Sequence, residues 1–217
     1  MYISKAETDQ IENIVSMSIR AFETDVNVGG VKGDCPPGFD SIEWHKQMAL
    51  EGHLYQAMIE KDLVGAAIIF PDETNNSIYI GRIFIDSVHH RKGYGISLME
   101  CIEKNFPCAL KFNLDTPCWN ERTNAFYQRL GYRIIKVEDG FNFYQKRGLE
   151  THHCTLIKIE DDLYKYTYSP AWVYIRRTSD DQWYFEPLGN PAYHSENYSS
   201  FQDCLDKAYD AMIASKL

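Results

Sequence analysis

The chain has 217 residues, of which 44% are hydrophobic, a net charge of −9 and a sequence pI of about 5.2. That length suits one large domain, or a medium one with a small companion, and the apolar share is enough for a sizeable core. The acidic balance argues against nonspecific nucleic-acid binding, which needs a basic face. The longest apolar run, Val64 to Phe70, is too short to cross a bilayer. Met1 to Ile11 carries Glu7 and Asp9 and has no apolar core, so it does not read as a signal peptide. The six cysteines (Cys35, Cys101, Cys108, Cys118, Cys154, Cys204) form no CxxC pair and read as free thiols. A cytoplasmic protein is expected, with neither membrane nor nucleic acid as partner.

Tyr2 to Ala6 is a short strand. Thr8 is placed to cap a helix over about Asp9 to Phe22, where Ile11, Ile14, Val15, Ile19 and Phe22 recur with helical spacing. Glu23 to Asp40, rich in glycine and proline, is a loop long enough to suggest function. Asp40 or Ser41 caps a second helix, Ile42 to Glu51. Leu54 to Ile59 and Leu63 to Phe70 form a hairpin around Glu60-Lys61-Asp62. A polar turn, Pro71 to Asn76, leads into a fourth strand, Ser77 to Ile85.

That strand runs into Val88-His89-His90-Arg91-Lys92-Gly93-Tyr94-Gly95, the stretch with the most chemistry. A helix follows, about Ile96 to Phe106, apolar over much of its girth. A basic, glycine-bearing turn between a strand and a helix start can hold an anion. Glycine admits close approach of the backbone, and the free N–H groups of the helix start point at the ligand. Ala109 to Leu114 is a strand, and Pro117 interrupts regular structure. Asn120 caps a short helix, Glu121 to Leu130, closed by Gly131 at C′. Tyr132 to Val137 and Phe141 to Lys146 make a last hairpin.

From about His152 the chain becomes rich in Tyr and Trp. Leu156 to Ile159, Leu163 to Tyr168, Trp172 to Arg177 and Trp183 to Leu188 are strand-like. Ser199 or Ser200 caps a final helix with Asp203 in its first turn, and Phe201, Leu205, Ala208, Met212 and Ile213 lie on one of its faces. The expected division is a first domain over 1–149 and a small α+β domain, three or four strands and one helix, over 152–217.

Two segments in this strand–helix order carry a family resemblance. His90-Arg91-Lys92-Gly93-Tyr94-Gly95 is similar to the (Gln/Arg)-x-x-Gly-x-(Gly/Ala) coenzyme A segment of the GCN5-related N-acetyltransferase (GNAT) family, with His90 in place of the usual Gln or Arg. Asn120, Tyr127, Gly131 and Tyr132 match its Asn…Tyr…Gly-(Phe/Tyr) segment. The resemblance covers roughly residues 1–147. It implies a mixed α+β acyl-CoA N-acyltransferase fold with a mostly antiparallel central sheet. It also implies acetyl-CoA as cosubstrate, no metal, and direct acetyl transfer to a primary amine of a small molecule or peptide.

Carried over residue by residue, the resemblance implies that the pyrophosphate rests on Arg91, Lys92, Gly93, Tyr94, Gly95, Ile96 and Ser97, with the His90 imidazole as a further donor. The pantetheine arm runs along Ile83, Phe84 and Ile85 of a bulged strand that splays from Leu114-Asp115-Thr116, and an amide near Ile85 polarises the thioester carbonyl. Asn120 and Tyr127 are further coenzyme contacts, and Tyr127 is also the acid that protonates the leaving thiolate.

The general base is left open. Deprotonating an alkyl-ammonium at neutral pH costs roughly 4–5 kcal/mol, so a base is useful. Tyr79, Ile80, Gly81 and Arg82 stand where some relatives carry a glutamate; the candidates are Glu23, Asp25, Asp34, Asp40, His53 and Asp115. Acids around the loop would also attract a cationic amine. His89-His90 and His152-His153-Cys154 do not suggest a metal, because adjacent histidines in extended chain point to opposite faces and no second cluster has ligand spacing. Cys118 has no activating neighbour in sequence and reads as incidental. The tail aromatics read as core and packing surface rather than a base-stacking platform. A second reading is an acyl-CoA-binding sensor or scaffold whose tail binds a partner. A homodimer contact is a further role open to the tail.

Overall fold

A computed structural model of the chain describes residues 1–31, 35–73, 76–107, 109–148, 154–168, 171–187 and 195–215. Gly33, Asp34, Thr74, Asn75, Cys108, His152, His153 and the stretch 188–194 lie outside the described residues, as do the side chains of Cys154 and Ile213. The chain divides into two compact units: Met1–Asp72 with Ser77–Gly148, and Glu73–Asn76 with Leu149–Leu217.

The first unit is a seven-stranded sheet between two helical layers. Its strands are β1 (Tyr2–Lys5), β2 (Leu54–Ile59), β3 (Asp62–Pro71), β4 (Ser77–Ile85), β5 (Lys111–Pro117), β6 (Arg133–Glu138) and β7 (Phe141–Arg147), in the order β1-β2-β3-β4-β5-β7-β6. Every pairing is antiparallel except β4 with β5. The helices are α1 (Ile11–Phe22), α2 (Ile42–Leu50), α3 (Tyr94–Asn105) and α4 (Glu121–Arg129).

Strand alternation sorts the two layers. Ala67 and Ile69 of β3 join Leu98, Met99 and Ile102 of α3 and Tyr127 of α4 in one core. Ala66 and Ile68, on the opposite face, join Ile14 and Ala21 of α1, with Trp44 and Met48 of α2 packed against them.

Three local expectations change. Thr8 caps nothing: a 3-10 turn, Thr8–Gln10, precedes α1, and no side chain caps either. The Glu7 N–H is already held by Gln56 Oε1 at 3.2 Å, which fixes the chain's entry before Thr8 is reached. The loop after α1 begins as a 3-10 helix, Glu23–Val28, closed by the Gly30 N–H to Asp25 O bond at 3.0 Å. At α2 it is Ser41, not Asp40, that caps, its hydroxyl accepting from the Trp44 N–H at 3.1 Å.

β4 carries the feature that shapes the site. Ile68 pairs with Arg82 and Ile69 with Ile80, so Gly81 is an extra residue, a bulge. Without it, alternation would put Ile78 and Ile80 on the face opposite Ile83 and Ile85. With it, all four belong to the α3 layer, while Phe84 belongs to the α1/α2 layer. Arg82 and Tyr79 share the Phe84 parity. β4 pairs with β5 only over Ser77–Lys111, Ile78–Phe112 and Tyr79–Asn113, and beyond that the two strands part.

The second unit is an antiparallel sheet of β8 (Cys154–Glu160), β9 (Leu163–Tyr168), β10 (Ala171–Arg177) and β11 (Trp183–Pro187), ordered β11-β10-β9-β8, with one helix, α5 (Phe201–Ser215). Tyr166 lies opposite Val173, and Ile175 is flanked by Tyr164 and Phe185. All five are buried, with Cys204, Leu205, Ala208 and Met212 of α5. The aromatics divide by strand parity: Tyr164, Tyr166 and Phe185 go inward, while Trp172, Tyr174 and Tyr184 stay partly exposed. Ser200 is the α5 cap, accepting the Asp203 N–H at 3.1 Å and donating to its carboxylate at 2.6 Å.

Candidate active site

The turn after β4 is anchored from below. Asp86 accepts from the Val88 N–H at 3.3 Å, opening a short 3-10 turn, Ser87–His89. Arg20 of α1 donates to the same carboxylate, Nε at 3.0 Å and Nη2 to the second oxygen. The Arg20 hydrogen bond is the main reason the Asp86 carboxyl titrates below the usual carboxylate range.

Past this anchor the backbone leaves its common regions. Arg91 has φ 64 and Gly93 φ 81. For arginine the left-handed region is sparsely populated, and such departures mark backbone under functional constraint. Gly93 is the N-cap of α3 and has no side chain to offer. The Ser97 N–H is the first to bond within the helix, to Gly93 O at 3.1 Å. The N–H groups of Tyr94, Gly95 and Ile96 therefore have no helical acceptor. A Cβ on Gly93 would meet nothing within 4 Å. The helix starts at Tyr94, two residues before the expected Ile96, so Tyr94 and Gly95 are its first turn. Arg91 and Lys92 are exposed beside it, and Lys92 Nζ donates to His89 Nδ1 at 3.2 Å.

His90 does something sequence reasoning did not foresee. Its Nε2 lies 2.9 Å from the Ile85 carbonyl, so that nitrogen carries the proton and donates. The ring ties the turn to the end of β4, leaving only Nδ1 to face a ligand.

The β4 backbone is only partly open to the gap. Asp86 N–H donates to Val64 O at 2.9 Å, which sets the phase of the β3–β4 ladder. By that phase Phe84 directs its N–H and C=O toward β3, and Ile83 and Ile85 direct theirs toward the gap. Phe84 therefore drops out as a backbone ligand, and its ring is buried in the α1/α2 layer. Ile83 and the Ile85 N–H remain.

Tyr127 lies on the α3 side of the gap, 8% exposed, with its ring centroid 5.2 Å from Phe126 and 6.0 Å from both Tyr132 and Tyr144. Burial, then the Asp115 carboxylate, then Tyr79, push its pKa well above the ordinary phenol value. The phenol is thus fully protonated at neutral pH. Its electrostatic neighbours both belong to the other side of the gap: the Tyr79 hydroxyl donates to Asp115 Oδ1 in a close contact.

Asn120 is 2% exposed, and its Oδ1 accepts the Thr123 N–H at 3.2 Å as the cap of α4. Arg122 pairs with the Asp25 carboxylate and donates to Thr24 Oγ1 at 3.2 Å. Burial raises the Asp25 pKa, with the Arg122 charge pulling the other way.

Of the six candidate bases the structure brings Asp115 to the gap. Asp25 is held by Arg122; Glu23 and Asp40 are exposed. His53 Nδ1 donates to Ile69 O at 3.1 Å, and its ring packs on Phe70. Asp34 lies outside the described residues. Cys118 is exposed and donates to Asn142 Oδ1 at 3.3 Å. A cation stands on this side as well. Arg82 Nη2 donates to Pro37 O at 2.9 Å, and its guanidinium stands 4.6 Å from the Trp44 ring centroid. A charged residue inside the apolar run Ile78 to Ile85 was the available signal.

A strand–turn–helix anion site feeding a splayed sheet, with a buried tyrosine at the gap, defines an acyl-CoA transferase architecture. Residues 20–132 match the model of the Acetyltransferase (GNAT) family, and the chain belongs to that family. It is a GNAT-family acetyltransferase. Among solved structures it is similar to PaiA N-acetyltransferase from Thermoplasma acidophilum in complex with coenzyme A: 14% identity, TM-score 0.60, 67% of this chain and 97% of that one. It is similar too to the ribosomal-protein-S18-alanine N-acetyltransferase from Escherichia coli, at 16% identity and TM-score 0.53, over 70% of this chain and 96% of the other. Aminoglycoside 6'-acetyltransferase type Ii is 15% identical at TM-score 0.53, over 69% and 98%. No curated protein matches the chain. At these identities the likeness is of fold alone. Among the described residues no helix is long and apolar enough to cross a membrane, and no cluster of His, Cys, Asp and Glu could hold a metal.

Proposed function

We propose that the protein transfers the acetyl group of acetyl-CoA directly to a primary amine, with the reaction at the β4–β5 gap. The observation that carries this reading is the meeting of three features there: the open N–H groups from Arg91 to Ile96, the gap-facing backbone of Ile83 and Ile85, and Tyr127. The turn holds the pyrophosphate and Ile83 the pantetheine arm. The Ile85 N–H donates to the thioester oxygen as negative charge develops on it.

The amine approaches from the α1/α2 side. A C–N bond forms and the C–S bond breaks. One ammonium proton passes to Asp115, directly or through the Tyr79 hydroxyl; Tyr127 protonates the departing thiolate and recovers its proton from the second one that the nitrogen loses as the amide forms. The raised Tyr127 pKa suits this role, since the acid form must be present beforehand.

The test is thiol release from acetyl-CoA over a panel of amines, with thermal stabilisation by acetyl-CoA measured in parallel. Amine-dependent release is expected. Stabilisation without release on any amine favours the sensor reading, and no stabilisation overturns the coenzyme assignment.

A further inference from the structure

We infer that Arg82 is the residue that anchors the acceptor, and that the acceptor carries a carboxylate as well as its amine. Arg82 lies on the same face of β4 as Tyr79, with the Gly81 bulge between them. Its guanidinium is 4.6 Å from the Trp44 ring centroid and 5.7 Å from that of Phe22, and Nη2 donates to Pro37 O. Aromatic planes and one carbonyl hold the group in place, but none of them neutralises it.

Nη1 is buried, and among the described residues it has no hydrogen-bond partner and no carboxylate pairs with Arg82. Burial pushes its pKa down to about 10. His45, whose buried Nε2 also lacks a partner, is near enough for the Arg82 charge to lower its pKa, after the larger effect of its own burial. His45 Nδ1 donates to Ser41 O at 2.8 Å, so the neutral ring supplies no countercharge.

A partly buried cation with no anion among the described residues is costly, and its unsatisfied buried donor calls for an explanation. A guanidinium edge matches a carboxylate, and one cation beside a neutral histidine calls for one negative charge rather than the nearly two of a phosphate. The side of the gap assigned to the amine thus presents a single positive group. This rests on the acetyltransferase reading only in calling the ligand an acceptor, because its binding can be measured without turnover.

The experiment titrates the full chain, saturated with coenzyme A, with matched amines: lysine against cadaverine, phenylalanine against phenethylamine, and phosphoethanolamine as the phosphate probe. The carboxylated member of a pair should bind about tenfold or more tightly than its partner. Arg82→Met should erase that difference, leave coenzyme A binding unchanged, and melt no lower than the wild type, because it removes an unpaired, partly buried charge. Arg82→Lys should keep part of the preference. Equal or undetectable binding within the pairs overturns the inference, as do a preference that survives Arg82→Met, tighter binding of phosphoethanolamine, or a collapse of stability in both variants. Carboxylate binding through Arg82 with no acetyl transfer would instead remove the acetyltransferase reading and leave this one standing.

Discussion

The two sides of the β4–β5 gap are built from different material. The side proposed for the coenzyme is mostly backbone: left-handed Arg91 and Gly93, the N–H groups at the start of α3 without a helical acceptor, and the gap-facing groups of Ile83 and Ile85. The side proposed for the acceptor is mostly side chains, drawn from α1 (Phe22), α2 (Trp44, His45), β4 (Tyr79, Arg82) and β5 (Asp115). A backbone site can serve a whole family, because it depends on conformation and not on side-chain identity. A side-chain site can be remade for each acceptor on the same frame.

The largest effect should come from Tyr127, the acid of the proposed reaction. Tyr127→Phe removes a hydroxyl and keeps the ring contacts with Phe126, Tyr132 and Tyr144. Thiol release should show kcat down about a hundredfold or more, with the KM for acetyl-CoA and the melting temperature unchanged. An equal loss in coenzyme affinity would assign the hydroxyl to binding instead.

Next is the backbone side. Gly93→Val places a branched side chain at φ 81, a strain of roughly 1–2 kcal/mol that should lower acetyl-CoA affinity about tenfold. Gly140→Val is its control: Gly140, in the β6–β7 turn, has φ 82 and equally open surroundings. It should lose similar stability and keep its coenzyme affinity. Calorimetric titration of both variants separates a strained turn from a binding turn.

Asp86→Asn breaks the anchor under that turn. It should cost about 1.5–3 kcal/mol of unfolding free energy, the range for hydrogen bonds to charged groups. Because the folded carboxyl titrates below its unfolded value, its stabilisation is present above the unfolded pKa of roughly 4 and is lost as pH falls through the folded one. Urea unfolding should therefore show a large gap between wild type and variant at pH 7, closing in acid. The smallest effect belongs to Arg122→Ala, which frees the 3-10 segment Glu23–Val28. Arg122 is 41% exposed, so the stability loss should stay below about 1 kcal/mol. The KM for the acceptor should rise while that for acetyl-CoA holds.

What could be read from the sequence follows the same division. The strands, the anion turn and the Asn120 cap were legible because glycines, caps and alternation are local signals. The parity switch at Gly81 was not, since a bulge is seen only against its partner strand, and it decides that Arg82 and Phe84 face α1 and α2. The bond from His90 to the Ile85 carbonyl was out of reach for a related reason, since the proximity of the two comes from the fold of the turn. Trp44 and Asp115 reach the acceptor side from distant elements, and no spacing rule links them.

The measurement that tests direct transfer most simply is one turnover with acetyl-labelled coenzyme A, following the label on the protein and on an amine found active in the panel. Direct attack predicts that label reaches the amine at the rate of thiol release and that none is ever held by the protein. Label retained on the chain before the amine is added, at Cys118 or elsewhere, would contradict it.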